Sequence, residues 1–356
     1  MIDPLLGSWL RRALPAAALG PLQRELDELG RVAAGERCAL QLALSQGLVA
    51  TPGECPRGRH GLIAQFAKIY LLHCSPDPGS GSPAVSDGWP MVGRPAAGPM
   101  LAMTRTWGSV RNVALMRRGL ALARSQAALP LHLDTLAALE AETWGAFLTS
   151  FLLVELQGRL DSGEIDGQQQ ALLRLAAPLT KLMTGKQAVA VLNDLIDGFG
   201  APGDVACPGL SQLLRYAQAR PAWEGTTNAL ATEALLRADL HDALAALMGR
   251  ASSCLRSINE PRLAAAGRQA VGALERAALW LESGKEHDVL EAGARRLAMT
   301  LARGLQLALL CEHAQWMLDH GGDRRGFAAA LRYSRLPVDL VHEVDPELDR
   351  QLLGRG

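Results

Sequence analysis

The residues best placed to do chemistry sit in one stretch. Phe199-Gly200-Ala201-Pro202-Gly203 ends a helical rhythm, and Gly209-Leu210 with Leu213-Leu214-Arg215 makes a short crossover. Pro221-Ala222-Trp223-Glu224-Gly225-Thr226-Thr227-Asn228 then opens a new helix. Thr226 or Thr227 suits the N-cap. Glu224 therefore falls beside a helix N-terminus. The macrodipole there favours its anion, whereas burial against Trp223 would favour its neutral form. A carboxyl held between those pulls can serve as a general base. Spacing alone leaves a second reading open, in which Glu224 decorates an exposed turn.

Other reactive side chains are less suggestive. His313 and His320 stand two helical turns apart with Glu312 beside them. A metal site would need histidines at i and i+4 or a third convergent ligand, so surface histidines and no metal are expected. Lys181 and Lys186, near Gln187, are expected on a solvated helix face. Cys38, Cys55, Cys74, Cys207, Cys254 and Cys311 form no C-x-x-C pair, hence neither a disulfide framework nor a zinc site. Reduced thiols in the cytoplasm are expected. The alternative is the mitochondrial matrix, since Met1 to Leu19 places Arg11 and Arg12 among leucines and alanines, although Asp3 opposes a presequence. The chain contains no P-loop, Rossmann glycine pattern, G-x-S-x-G elbow or EF-hand loop.

These residues need elements to position them. The chain has 356 residues, 49% apolar and 20% charged, enough for two or three domains with a sizeable core. Lys and Arg number 36 against 36 Asp and Glu, which argues against a protein held on nucleic acid by bulk charge. Only four of those cations are lysines, and the pairs Arg117-Arg118, Arg295-Arg296 and Arg324-Arg325 are short. Apolar runs break before the roughly 18 residues that span a bilayer, so a soluble protein is expected. Leu and Ala dominate while Ile, Tyr and Phe are scarce, and no segment alternates with period two. The fold class that follows is all-α.

Breaks at Pro15 and Pro21 set off a helix over about 22–46, and another is expected over 62–72. Stronger periodicity places helices near 101–126, 131–160, 168–198, 208–219, 227–249, 260–282, 287–319 and 324–334. Asp161-Ser162-Gly163 and Gly198 with Gly200 supply glycine stops. The organisation reads as an N-terminal helical segment (1–74), a Pro/Gly-rich linker (75–98), a helical bundle (99–240) and a helical extension (241–356).

Residues 101–237 resemble the C-terminal helical half of acyl-CoA dehydrogenases, especially the AidB-like branch. The likeness rests on the Trp223-Glu224-Gly225-Thr226 turn and its preceding glycines. It also rests on Leu175-Ala176-Ala177-Pro178-Leu179-Thr180-Lys181-Leu182, Lys186 to Val191, Met116-Arg117-Arg118, Leu120 to Arg124 and Pro130-Leu131-His132-Leu133. Residues 1–72 match through Gln65-Phe66-Ala67-Lys68-Ile69-Tyr70, and 238–356 resemble that branch's additional helices. The resemblance implies FAD as cofactor and an acyl-CoA thioester as substrate. Glu224 would take the α-proton while the β-hydride passes to the flavin. Gly200 and Ala201 correspond to the family's Gly-Gly pair at the flavin, and Gly225 and Thr226 lie in the turn that approaches it.

Departures from the family are equally plain. The segment 75–98 stands where the family carries a β-domain that covers the flavin. Ser125 to Leu129 replaces an Arg-x-x-Phe-Gly turn that grips the pyrophosphate. Ala201 degrades the glycine pair, and Pro202 removes a backbone donor. Two readings follow. One is a flavoprotein dehydrogenase with Glu224 as base, inactive as an isolated chain. The other is a helical interaction protein that holds no FAD; a DNA-associated protein of the AidB kind ranks below both. Association with itself or a related subunit is expected, because a lost β-domain uncovers apolar helix faces.

Overall fold

Leucine and alanine at helical spacing set the architecture, and a few polar caps set its boundaries. The computed structural model describes residues 3–32, 40, 58–74, 99–124, 129–199, 208–219, 225–236 and 239–354. Among them there is no strand, as the composition requires. The helices are α1 (Pro4–Ala13), α2 (Ala16–Leu29), α3 (Arg59–Cys74), α4 (Pro99–Ala123), α5 (Pro130–Asp161), α6 (Gly167–Phe199) and α7 (Pro208–Ala219). They continue with α8 (Thr227–Leu235), α9 (Leu240–Arg256), α10 (Pro261–Glu282), α11 (His287–Gly321), α12 (Arg325–Tyr333) and α13 (Pro346–Leu352). The linker 75–98 lies outside the described residues.

Starts and stops follow local chemistry. Asp3 caps α1 by accepting from Leu5 N at 2.8 Å, and prolines open α1, α5, α10 and α13, where no intrahelical donor is needed. Gly163 at φ 70° ends α5, with Glu164 N donating to Arg159 O at 2.8 Å. Three expectations need correction. The helix expected over 22–46 begins at Ala16 and ends at Leu29, where Gly30 forms its C-cap. Pro21 lies inside α2 rather than breaking it; it faces solvent together with Ala17, whose carbonyl can turn to water. The helix expected over 227–249 is two helices, α8 and α9, separated at Leu236 to Asp239.

α5 is the centre. It packs against α3, α4, α6, α11 and α12, and α6 in turn receives α4, α7, α8 and α9. Phe147 and Phe151 stack with centroids 4.3 Å apart, and Trp9 and Tyr70 close on them at 4.8 and 5.3 Å. By length and composition α5 would pass for a membrane span, against the expectation from its interrupted apolar runs. Yet 78% of its most apolar window is buried inside the protein. α11, from the expected extension, enters this core beside α5, α6 and α8.

Several polar groups inside the bundle pair with one another. Gln187 and Gln306 exchange two 3.0 Å hydrogen bonds, and Tyr333 Oη donates to Gln306 Oε1 at 2.5 Å. Arg303 Nη2 donates to Glu142 Oε1 at 3.0 Å and Arg303 Nε to Pro337 O at 2.6 Å. Arg117 holds Asp3 and Glu140, which ties α1 to α4 and α5.

Candidate functional site

The described part of the candidate turn is Gly225-Thr226, where the chain enters α8. Gly225 has φ +117°, a conformation L side chains rarely adopt. A Cβ there would also stand 3.0 Å from Leu230 Cδ2, and Leu230 is buried, so the turn folds tightly onto its own helix. Thr226 is the N-cap, with Oγ1 accepting from Ala229 N at 3.3 Å, so of the two threonines the sequence offered, the structure selects Thr226.

Lys181 holds this turn from the next helix. Its Nζ donates to Gly225 O at 2.6 Å. Its residue is only 6% exposed, so the expected solvated face is wrong for Lys181. α6 is apolar around most of its circumference, and a lysine in its middle is therefore enclosed whichever way it points. Gln187 is buried as well, in the amide pair with Gln306, and Lys186 is half-buried. On the far side of α8, Arg105 of α4 grips Glu233 through two 2.7 Å hydrogen bonds. α8 is thus fixed from α4, α6 and α11. Its first turn carries no acidic side chain, so the dipole and Lys181 together favour an anion there.

Of the sequence-derived site residues, Gly225 and Thr226 come together in this turn, while Glu224, Gly200 and Ala201 lie outside the described residues. Lys181 is the residue that sequence reasoning missed; its position in the continuous apolar run of α6 was the available signal.

The histidines divide. His320 is exposed, as expected, and its Nδ1 donates to Trp316 O at 2.9 Å. His313 is fully buried instead, 3.0 Å from Ser8 Oγ through Nε2. Ser8 Oγ already donates to Leu5 O, so Nε2 carries the proton and donates to Ser8. Burial, aided by the Arg12 cation, pushes His313 down to about 3, so the ring is neutral. Among the described residues no cluster of His, Cys, Asp and Glu could hold a metal, and Cys74, Cys254 and Cys311 are free thiols. Burial pushes Cys254 up to about 12, which removes its thiolate at neutral pH.

Residues 242–349 match the family model described as acyl-CoA dehydrogenase 11 C-terminal domain-like. The chain is 33% identical over 243 residues to acyl-CoA dehydrogenase family member 11 of Caenorhabditis elegans, across 62% of this chain and 39% of that protein. The crystal structure of Caenorhabditis elegans ACDH-11 in complex with C11-CoA superposes with a TM-score of 0.65 at 29% identity, covering 71% of this chain and 47% of that one. An acyl-CoA dehydrogenase from Bacillus anthracis complexed with FAD shares the fold, with a TM-score of 0.52 at 15% identity over 72% of this chain and 51% of that chain. The chain spans 39% of its curated relative and about half of these solved structures.

Proposed function

Taking the chain as a relative of the acyl-CoA dehydrogenase family, we propose that it supplies the helical half of an acyl-CoA dehydrogenase-type site, with Glu224 as the base. The observation that carries this reading is the clamp on the turn. Lys181 holds the carbonyl of Gly225, the residue next to Glu224, and Thr226 caps the helix that follows. A base must be held within hydrogen-bond reach of its proton, and a turn fixed where it enters the helix favours that rigidity.

In this reading Glu224 takes the α-proton of an acyl-CoA thioester. The relative solved with C11-CoA supports an acyl-CoA ligand. The donor set at the turn fits FAD in kind: a first helical turn without acidic side chains, a left-handed glycine and a buried lysine suit an anionic cofactor. Gly225 and Thr226, with Gly200 and Ala201, would lie along it. FAD, when bound, would supply the hydride acceptor. We read α9 to α13 as the added helices of the AidB-like branch, and the segment 75–98 as standing in place of the β-domain. A second subunit, a copy of this chain or a longer relative, would then cover the exposed side of the site.

The test is colour and its loss. Chain reconstituted with FAD is expected to keep a visible flavin band through gel filtration, and light scattering to show a species larger than a monomer. Anaerobic C11-CoA should bleach the band, and Glu224→Gln should keep the band while abolishing the bleaching. A chain that stays colourless with FAD, both alone and after mixing with a full-length relative, would overturn the proposal.

A further inference from the structure

A second feature lies at the other end of the bundle, under α1. A cavity of about 270 Å³ opens between α1, α3, α5, α6, α9 and α11. Arg12, Arg59, Arg159 and Arg250 line it, brought together from four different helices, and Glu155 lines it as well. Each available carboxylate is shared between two guanidiniums. Glu155 Oε1 accepts from Arg59 at 2.8 Å and from Arg159 at 3.1 Å. Glu312, just behind the cavity, accepts from Arg12 and from Arg250, the latter at 3.0 and 2.7 Å. Among the described residues, four permanent cations therefore face two anions.

The surplus is accessible. The four arginine side chains are between 22% and 28% exposed, so the cavity opens to solvent. Its remaining wall is mainly apolar, with Trp9 of α1, Leu152 and Leu156 of α5 and Leu172 of α6, and Gln169 of α6 adds one amide. Leu172 precedes Lys181 by nine residues, about 13 Å along the helix axis, so this cavity is separate from the turn at Gly225.

We propose that the cavity binds a soluble phosphomonoester carrying a short apolar group. Two uncompensated guanidinium charges match the near-dianionic charge of a phosphomonoester at neutral pH, and planar guanidinium forks suit its oxygens. A monocarboxylate would leave one cation unpaired. The apolar wall requires more than inorganic phosphate to fill it. The volume, just under the roughly 300 Å³ where small-molecule sites begin, limits the ligand to a small one.

Calorimetric titration of the full chain with hexyl phosphate tests this. Hexyl phosphate is expected to bind at least tenfold more tightly than inorganic phosphate or hexanoate, and hexylamine not at all. Arg159→Gln removes one cation while Glu155 keeps Arg59, and should weaken binding about tenfold. Glu155→Gln removes one anion and should tighten it severalfold. Circular dichroism melts establish that both variants are folded. Binding that is absent, that is unchanged in both variants, or that is matched by hexylamine would overturn the site. Co-sedimentation with phosphatidic acid vesicles that Arg159→Gln abolishes would overturn the assignment to a soluble ligand.

Discussion

Between α5, α6, α11 and α12, one buried polar cluster is closed on itself: Gln187 pairs with Gln306, Tyr333 with Gln306, and Arg303 with Glu142 and the Pro337 carbonyl. Under α1 the matching is incomplete, because two carboxylates serve four guanidiniums beside an open cavity. Both regions are built from residues far apart in the chain, and both are partly or wholly withdrawn from water. The first is closed and can only fix how helices pack. The second retains donors and charge that its own residues do not use. Buried polarity in this molecule therefore divides into a part that specifies the fold and a part left for something else.

Breaking the closed region should cost most. Arg303→Met leaves Glu142 without its cation and is expected to lower unfolding free energy by about 3 kcal/mol in urea titrations. A smaller change would mean that Gln187, which also donates to Glu142 at 2.5 Å, carries the anion by itself.

A pH-dependent cost comes next, at the edge of the open region. His313 is held neutral at about 3, whereas in the unfolded chain it titrates near its ordinary 6.5. Below 6.5 the unfolded chain binds a proton that the folded one refuses. The stability that His313 contributes is complete above that pH and falls as pH drops towards 3. About 2 kcal/mol should be lost between pH 6.5 and 4.5, read as the difference in slope between the protein and His313→Leu. Glu312 behaves similarly at lower pH. Burial pushes its carboxyl up, but hydrogen bonds and charge from Arg250 and Arg12 outweigh that and hold it at about 2. Its contribution is present above its ordinary 4.5 and is lost as pH falls towards 2. Both proteins share that loss, so the comparison isolates the histidine.

Gln306→Leu should cost 1–2 kcal/mol by leaving the Tyr333 hydroxyl and the Gln187 amide short of partners, measured as a lowered midpoint in thermal melts. The smallest effect is expected in the open region. Arg159→Gln should change stability by less than about 0.5 kcal/mol, because the pair is partly exposed and Glu155 retains Arg59. A loss as large as that of Gln306→Leu would erase the distinction between the two regions.

Helices were the legible level of this chain. Pro130, Gly163, Pro261 and Gly322 punctuate strong periodicity, and the boundaries expected around them fall within a few residues of those found. The Gly225-Thr226 turn was legible for the same reason, since a left-handed glycine followed by an N-cap threonine is local chemistry. The break between α8 and α9 was not, because Leu236-Arg237-Ala238-Asp239 holds neither glycine nor proline and Asp239 makes no side-chain capping bond. Lys181 and His313 were misplaced on the surface because α6 and α11 are enclosed on nearly every side, so periodicity marks no outer face for them. The arginine cavity leaves no trace in spacing at all. Its residues converge from Arg12 to Arg250, and only tertiary packing makes them neighbours.

The contact between Ser8 and His313 spans 305 positions. On a ribosome, α1 emerges long before α11, and it must wait through the synthesis of nearly every other helix for the surface on which it rests. α3, α4 and α5 can meet early, while Leu5, Leu6 and Leu10 of α1, buried in the finished protein, have no α11 to complete their packing. The arginine cavity, which needs α1 and α11 together, therefore forms late in the assembly of the described helices, and a chain that displays it has brought α1 onto α11.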